Sequence, residues 1–186
     1  MDVEYEFPFG WKEMWGLAYR TDFDLKNHIK NSGVDLSYRD PKTNEKLVPH
    51  VIEPTFGLSR LLITILINAY YEEEINGKKR IVLKLRPSLS PVKVAIFPLQ
   101  KDEKLKSKAL ELLNDLKKTY VCEFDDSGNI GQMYRRQDEI GTPFCVTIDF
   151  KTIEDGAVTI RDRDTMKQER IEINKLAGYL SEKLEI

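Results

Sequence analysis

From Val92 onward the chain alternates short apolar runs with amphipathic stretches, and this alternation limits the possible folds more than any other feature. The run "VKVAIFPL" (92–99) has the length and composition of a buried strand. After it, Leu105, Ala109, Leu112, Leu113 and Leu116 recur at helical spacing, which predicts an amphipathic helix over 102–118. "YVCEFD" reads as a second strand, and "NIGQMYRRQDEIG" as a helix closed by Gly141, with Pro143 barring its continuation. "FCVTIDF", "GAVTIRD" and "QERIEI" read as three more strands, and "INKLAGYLSEKLEI" as a terminal helix. Such an order predicts a mixed sheet covered by helices.

The first part of the chain is less regular. "GWKEMWGLAYR" (10–20) is aromatic-rich and loosely alternating, as in a strand. Phe23, Leu25 and Ile29 with Gly33 as a stop suggest a short helix, and Asp40-Pro41 with Thr43-Asn44 supplies turn chemistry between two extended arms. Residues 60–74 are expected to form a nearly all-apolar, buried helix that frays into an acidic tail before Asn76-Gly77. Pro87 and Pro91 flank a Ser-Leu-Ser segment that reads as a connector. The expected division is therefore residues 1–88 and 89–186.

Composition excludes little and favours a folded domain. Of the 186 residues, 41% are hydrophobic and 32% charged, typical of a chain with a core and a charge-rich surface. The longest apolar run, 61–71, is roughly half of what a membrane helix needs, and it carries Asn68. The acidic start "MDVEYEFPFG" does not have the pattern of a signal peptide, so a cytoplasmic protein is expected. A net charge of −2 argues against a generic polyanion binder but leaves room for a local RNA contact. Cys122 and Cys145 lack metal or disulfide spacing and are expected as buried thiols; His28 and His50 stand apart, and no metal site is expected.

The stretch "VIEPTFGLSRLL" (51–62) carries the most chemistry. A strand is expected to end at Glu53, Pro54 to fix the exit, and Gly57 to allow close backbone approach where a helix begins. Glu53 could hold an ammonium group beside the Thr55 hydroxyl. Arg60, one turn into the helix, could aim its guanidinium fork at a phosphate. The turn could thus grip an amine at one end and a polyphosphate at the other. Taken alone, the same residues fit an ordinary capped turn better, because a single Gly-Leu-Ser-Arg is a weak motif.

"EPTFGLSRLL" resembles motif 3 of class II aminoacyl-tRNA synthetases, in the form found in dimeric glycyl-tRNA synthetases. "GWKEMWGLAYRTDFDL" is similar to the active-site strand that precedes it in that family. "LKLRPSLSPVKVAIFPL", "DDSGNIGQMYRRQDEIGTPFCVTIDF" and "VTIRDRDTMKQERIEI" resemble its C-terminal anticodon-binding domain. The resemblance implies an α/β chain: the end of an antiparallel class II catalytic sheet (1–88), then a mixed-sheet anticodon-binding domain (89–186). It implies Arg60 as the catalytic arginine on ATP phosphate, and Glu53, Thr55 and Gly57 at the glycine. Glu13, Met14, Gly57, Leu58, Ser59 and Arg60 would line ATP, which brings Mg2+ in the complete enzyme. Arg20, Asp22 and Asp24, in "RTDFDL", would be scaffolding. Where the family often has serine, this chain has Thr55.

For the second part, the resemblance implies that Arg135, Arg136, Asp138, Glu139, Arg161 and Arg163 meet the anticodon of glycine-accepting tRNA, with Tyr134 on the same helix. By residue type alone the helix residues fit a solvated charged face, and 161–164 could pair internally. Single-stranded bases are read by stacking and polar edges, so a few residues can suffice. Motifs 1 and 2 of the family have no counterpart in the sequence. The expectation is a glycine–tRNA ligase part that is inactive alone, needs an N-terminal catalytic half as partner, and belongs to a dimeric assembly. An apolar face around residues 61–70 would await that half. The alternatives are a non-catalytic synthetase-like RNA-binding or accessory protein, or a plain interaction module.

Overall fold

The computed structural model describes residues 1–184; Glu185 and Ile186, the end of the expected terminal helix, lie outside them. The chain divides into two compact units, Met1–Thr64 and Ile65–Ile186.

The first unit is built on a three-stranded antiparallel sheet in which β2 (Gly10–Thr21) lies between β1 (Asp2–Phe7) and β5 (Val51–Phe56). Between β2 and β5 come helix α1 (Phe23–Ser32), closed by Gly33 in the left-handed region, and a two-residue ladder of β3 (Tyr38–Arg39) with β4 (Lys46–Leu47). β5 runs through Pro54 to Phe56 instead of ending at Glu53. It pairs only with β2, so a residue lacking an amide proton can sit on its open side. Helix α2 (Leu58–Ala69) follows directly.

The expected helix over 60–74 stops at Ala69. Tyr70 to Ile75 form strand β6, which turns at Asn76-Gly77 into β7 (Lys78–Leu83). The acidic tail is thus one arm of a hairpin, because Glu72, Glu73 and Glu74 stand opposite Ile81, Arg80 and Lys79, and two of the three gain a cation across the ladder. The hairpin belongs to the second compact unit, although the proline-flanked connector comes after it. That connector is a 3-10 turn, Pro87–Leu89. The half-buried Lys93 ammonium donates to the carbonyls of Pro87, Ser88 and Ser90 at 2.7–2.9 Å.

The second unit follows the sequence reading closely. β8 (Val94–Pro98), α3 (Glu103–Leu116), β9 (Cys122–Phe124), α4 (Ile130–Ile140) and β10 (Phe144–Ile148) alternate. Then come a short α5 (Phe150–Asp155), β11 (Ala157–Asp162), β12 (Gln168–Glu172) and α6 (Ile173–Leu184). The sheet order is β12-β11-β10-β8-β9, with β10, β8 and β9 parallel and the other pairs antiparallel. Side chains of successive strand residues point to opposite faces, so Val94 and Ile96 join α3 and α6 in one core, while Ala95 and Phe97 join Met133 of α4 in another. With both faces covered, β8 and β10 are buried throughout, which is why they read as continuous apolar runs.

Caps fix the helix ends. The Asp102 carboxylate accepts from the amides of Lys104 and Leu105, and Asn129 and Gln132 form a reciprocal capping box on α4. Gly141 ends α4 with φ of 83°, and a Cβ there would lie 2.9 Å from both the Leu83 carbonyl oxygen and Leu85 Cδ1. Replacing Gly141 with alanine should therefore lower stability by about 1–3 kcal/mol, combining left-handed strain with a backbone clash. Urea unfolding of the two proteins checks this. An unchanged midpoint would contradict the packing of α4 against β7.

Candidate functional site

In the first unit, a β-bulge brings the chemistry together. Val3 pairs with Trp15 and Glu4 with Glu13, leaving Met14 as the extra residue of β2. The bulge turns two carbonyls toward the β5–α2 turn. The Gly57 amide donates to Met14 O at 3.0 Å, and the Arg60 guanidinium donates to Glu13 O. Any Cβ at Gly57 would sit 3.1 Å from Met14 O, so the close approach requires glycine. The Thr64 hydroxyl lies 3.8 Å from Met14 Sδ, one turn further along α2.

Register places the remaining groups nearby. Ala18 faces Glu53 and Gly16 faces Thr55, so small residues of β2 form the floor beneath two polar side chains of β5. The Thr55 hydroxyl leans toward Glu53 Oε1 at 3.4 Å, while Arg20 Nε is 3.3 Å from Glu53 Oε2. Arg20 also grips Asp24 of α1 with two hydrogen bonds of 2.8 Å. The Asp24 hydrogen bond, then the charges of Asp24 and Glu53, raise the Arg20 guanidinium above its ordinary pKa. The opposite face carries Trp15 stacked on Phe56 at 5.7 Å, with Leu17, Tyr19 and Ile52 exposed. Leu61, Leu62, Ile63 and Leu66 of α2 are exposed as well.

The second unit holds a buried charge network. Asp138 of α4 accepts from Arg80 Nε at 2.9 Å and from both terminal nitrogens of Arg161 at 2.8 and 3.1 Å. Arg80 also reaches Glu73 Oε2 at 2.7 Å and the Arg163 carbonyl at 2.6 Å. Arg163 forks onto Asp164 and donates to the carbonyls of Gly141 and Leu85 at 2.7 Å. Three arginines meet three carboxylates, and Lys84 adds a fourth cation at Glu73 Oε1. Burial alone would lower the Arg80 pKa; the hydrogen bond and charge of Asp138, then Glu73, reverse this and raise it. The Tyr134 ring lies under the Arg161 guanidinium at 4.7 Å, with its hydroxyl 2.8 Å from Thr147 Oγ1.

Outside this network, α4 presents Arg135, Arg136 and Glu139. Arg135 donates to Lys79 O at 2.6 Å; Arg136 pairs with Asp125 and donates to Ser127 O; Glu139 is exposed. A cleft of about 960 Å³ opens between α3, α5 and the start of α6, and none of the expected site residues lines it. Burial raises the Cys122 pKa to about 11 and that of Cys145 further, so neither thiol is a nucleophile at neutral pH. Among the described residues, no three His, Cys, Asp or Glu side chains could hold a metal ion, and no helix is long and apolar enough to cross a membrane.

Comparison with known proteins bears on both units. Residues 93–183 match the family described as an anticodon binding domain. The chain is 56% identical, over 98% of its length, to the glycine–tRNA ligase of Caldanaerobacter subterraneus subsp. tengcongensis. It is 55% identical, over its whole length, to that of Clostridium tetani, and 52% over 99% to that of Bacillus cereus strain ZK. Over nearly its whole length the chain is thus similar to one part of glycine–tRNA ligases. It spans 39–40% of the length of these relatives.

At the β5–α2 turn, the structure gathers Glu13, Met14, Gly57 and Arg60 at one bulge, with Glu53 and Thr55 on the adjoining strand. Leu58 and Ser59 open α2 and are exposed. The six expected anticodon residues separate into two groups. Asp138, Arg161 and Arg163 are no more than 5% exposed and spend their hydrogen-bonding groups on one another's neighbourhood. Sealed from solvent, they are reassigned from base contact to support of α4. Arg135, Arg136 and Glu139 remain on the surface.

Sequence reasoning missed Arg80, Glu73 and Thr142, whose hydroxyl donates to Gln137 Oε1 at 2.6 Å. The sequence offered no clear signal for Arg80, since polar and apolar residues do not alternate in "KKRIVL". Replacing Asp138 with alanine leaves Arg80 and Arg161 buried without their carboxylate and should cost about 3–5 kcal/mol. Thermal and urea unfolding measure this, and a loss below about 1 kcal/mol would show that water compensates the arginines.

Proposed function

We propose that this chain supplies the motif 3 wall of the ATP and glycine site of a glycine–tRNA ligase and, through its second unit, binds the anticodon of glycine-accepting tRNA. In this reading, residues 1–88 are the end of the catalytic domain and 89–186 the anticodon-binding domain. The activity itself belongs to the whole ligase, with the rest of the catalytic domain as partner, a dimer as the assembly and the cytoplasm as its place of work.

The observation that carries the reading is the convergence at the Met14 bulge. Two backbone anchors, Gly57 to Met14 and Arg60 to Glu13, hold the start of α2 against β2, so the Arg60 guanidinium is fixed near the proposed ATP-lining residues. Arg60 would meet ATP phosphate, which comes with Mg2+. Glu53 would accept the glycine ammonium, its carboxylate oriented by Arg20 and Thr55. Preorganised charge of this kind lowers a barrier only when it is already aimed at the reacting group. The small floor of Gly16 and Ala18 beneath Glu53 and Thr55 suits a substrate without a side chain.

For RNA, the support is the row of exposed Arg136 and Glu139 and half-buried Arg135 on a helix made rigid from beneath. The described arrangement offers few cations, so recognition would rest on base contacts more than on phosphate charge. Filter binding with glycine-accepting tRNA and anticodon-substituted versions tests this. Substituting the anticodon should weaken binding at least about 10-fold, and Arg136→Ala about 3- to 10-fold. Equal affinity for both RNAs would refute the anticodon assignment.

A further inference from the structure

Gly16 lies in the middle of β2, buried, paired with Asp2 on one side and Thr55 on the other. Its φ is not positive, so its backbone would accept any residue. What a side chain there would meet is two carboxylates. A Cβ at Gly16 would lie 3.1 Å from Glu13 Oε1 and 3.2 Å from Asp2 Oδ1. The Glu13 side chain therefore folds back along its own strand and rests closely against the place where a side chain at 16 would begin. In a regular strand, residues three apart point to opposite faces. The bulge at Met14 adds the extra residue that puts Glu13 and Gly16 on the same side.

We propose that Gly16 is a positioning residue of the ligase: by lacking a side chain it holds the Glu13 carboxylate in place at the junction between the ATP and glycine ends of the site. This rests on the reading of Glu13 as an ATP-lining residue. The backbone of Glu13 is already fixed by Arg60, leaving its side chain as the free variable. Thr55 faces Gly16 across the ladder, so the vacant position at 16 is the floor where the two proposed subsites adjoin. The contacting atoms are the ends of flexible side chains, so an added methyl displaces a carboxylate and leaves the fold standing.

The test uses the assembled ligase, this chain joined to or mixed with the remainder of the enzyme, in glycine-dependent ATP–pyrophosphate exchange. Gly16→Ala should raise KM for ATP about 5-fold and Gly16→Val at least about 20-fold, with KM for glycine within about 2-fold for the alanine variant. In a Glu13→Ala background, adding Gly16→Ala should change KM for ATP by less than about 2-fold, because the group it displaces is gone. Effects of the two substitutions that multiply, or an unchanged KM for ATP in both Gly16 variants, would overturn the proposal. If Glu13→Ala by itself leaves KM for ATP unchanged, the reading of Glu13 falls and this inference with it. If Glu13→Ala raises it and the Gly16 variants do not, only this inference falls. Should Gly16→Ala prove poorly folded in a thermal melt, the comparison of Glu13→Ala with the double variant still decides the matter.

Discussion

A carboxylate withdrawn from water has to be met by charge, and Asp138 meets Arg80 through one oxygen and Arg161 through both. Much of the second unit follows from that requirement. Asp138 belongs to α4, Arg80 to the hairpin strand β7, and Arg161 to β11 at the far side of the sheet order. Arg163 then ties the end of β11 to the C-terminal carbonyl of α4 and to Leu85 beyond the hairpin. Close pairing of opposite charges makes burial tolerable, and geometry makes it selective. An apolar core alone would let the hairpin slide on α4; the fork of Arg80 fixes it at one register.

This arrangement explains why α4 can serve two faces. Inward, Met133, Gln137 and Asp138 are buried against the sheet and hairpin. Outward, Arg135, Arg136 and Glu139 stand at positions set by that packing. In the first unit an analogous division is made by the bulge at Met14, where backbone carbonyls rather than side chains do the anchoring. One unit fixes its outer helix face with buried charge, the other fixes its strand-to-helix turn with an irregularity in a strand.

The alternation after Val92 made the second unit legible, since a sheet buried on both faces must present continuous apolar strands and a covering helix must present a stripe. The short α5 escaped because Phe150 prolongs an apolar run, although Asp149 and Thr152 carry the spacing of a capping box. The hairpin over 70–83 escaped for a different reason. "EEE" has no strand propensity of its own, and its partners lie across a turn, where Lys79 and Arg80 compensate it. The turn over 51–62 stood out in the sequence by its residue types, yet its geometry did not: nothing in the sequence marks Met14 as a bulge. Likewise Asp138, Arg161 and Arg163 look like a charged surface when read singly. Their partners lie as far as 83 residues away, and only the fold brings them together.

The dependence of the second unit on the hairpin is open to a direct measurement. Thermal unfolding followed by circular dichroism would compare two fragments, residues 65–186 and residues 89–186. The first keeps Arg80 and Glu73 and should melt cooperatively; the second leaves Asp138 and Arg161 without Arg80 and should lose about 3–5 kcal/mol or fail to fold. Equal melting temperatures for the two fragments would contradict the account.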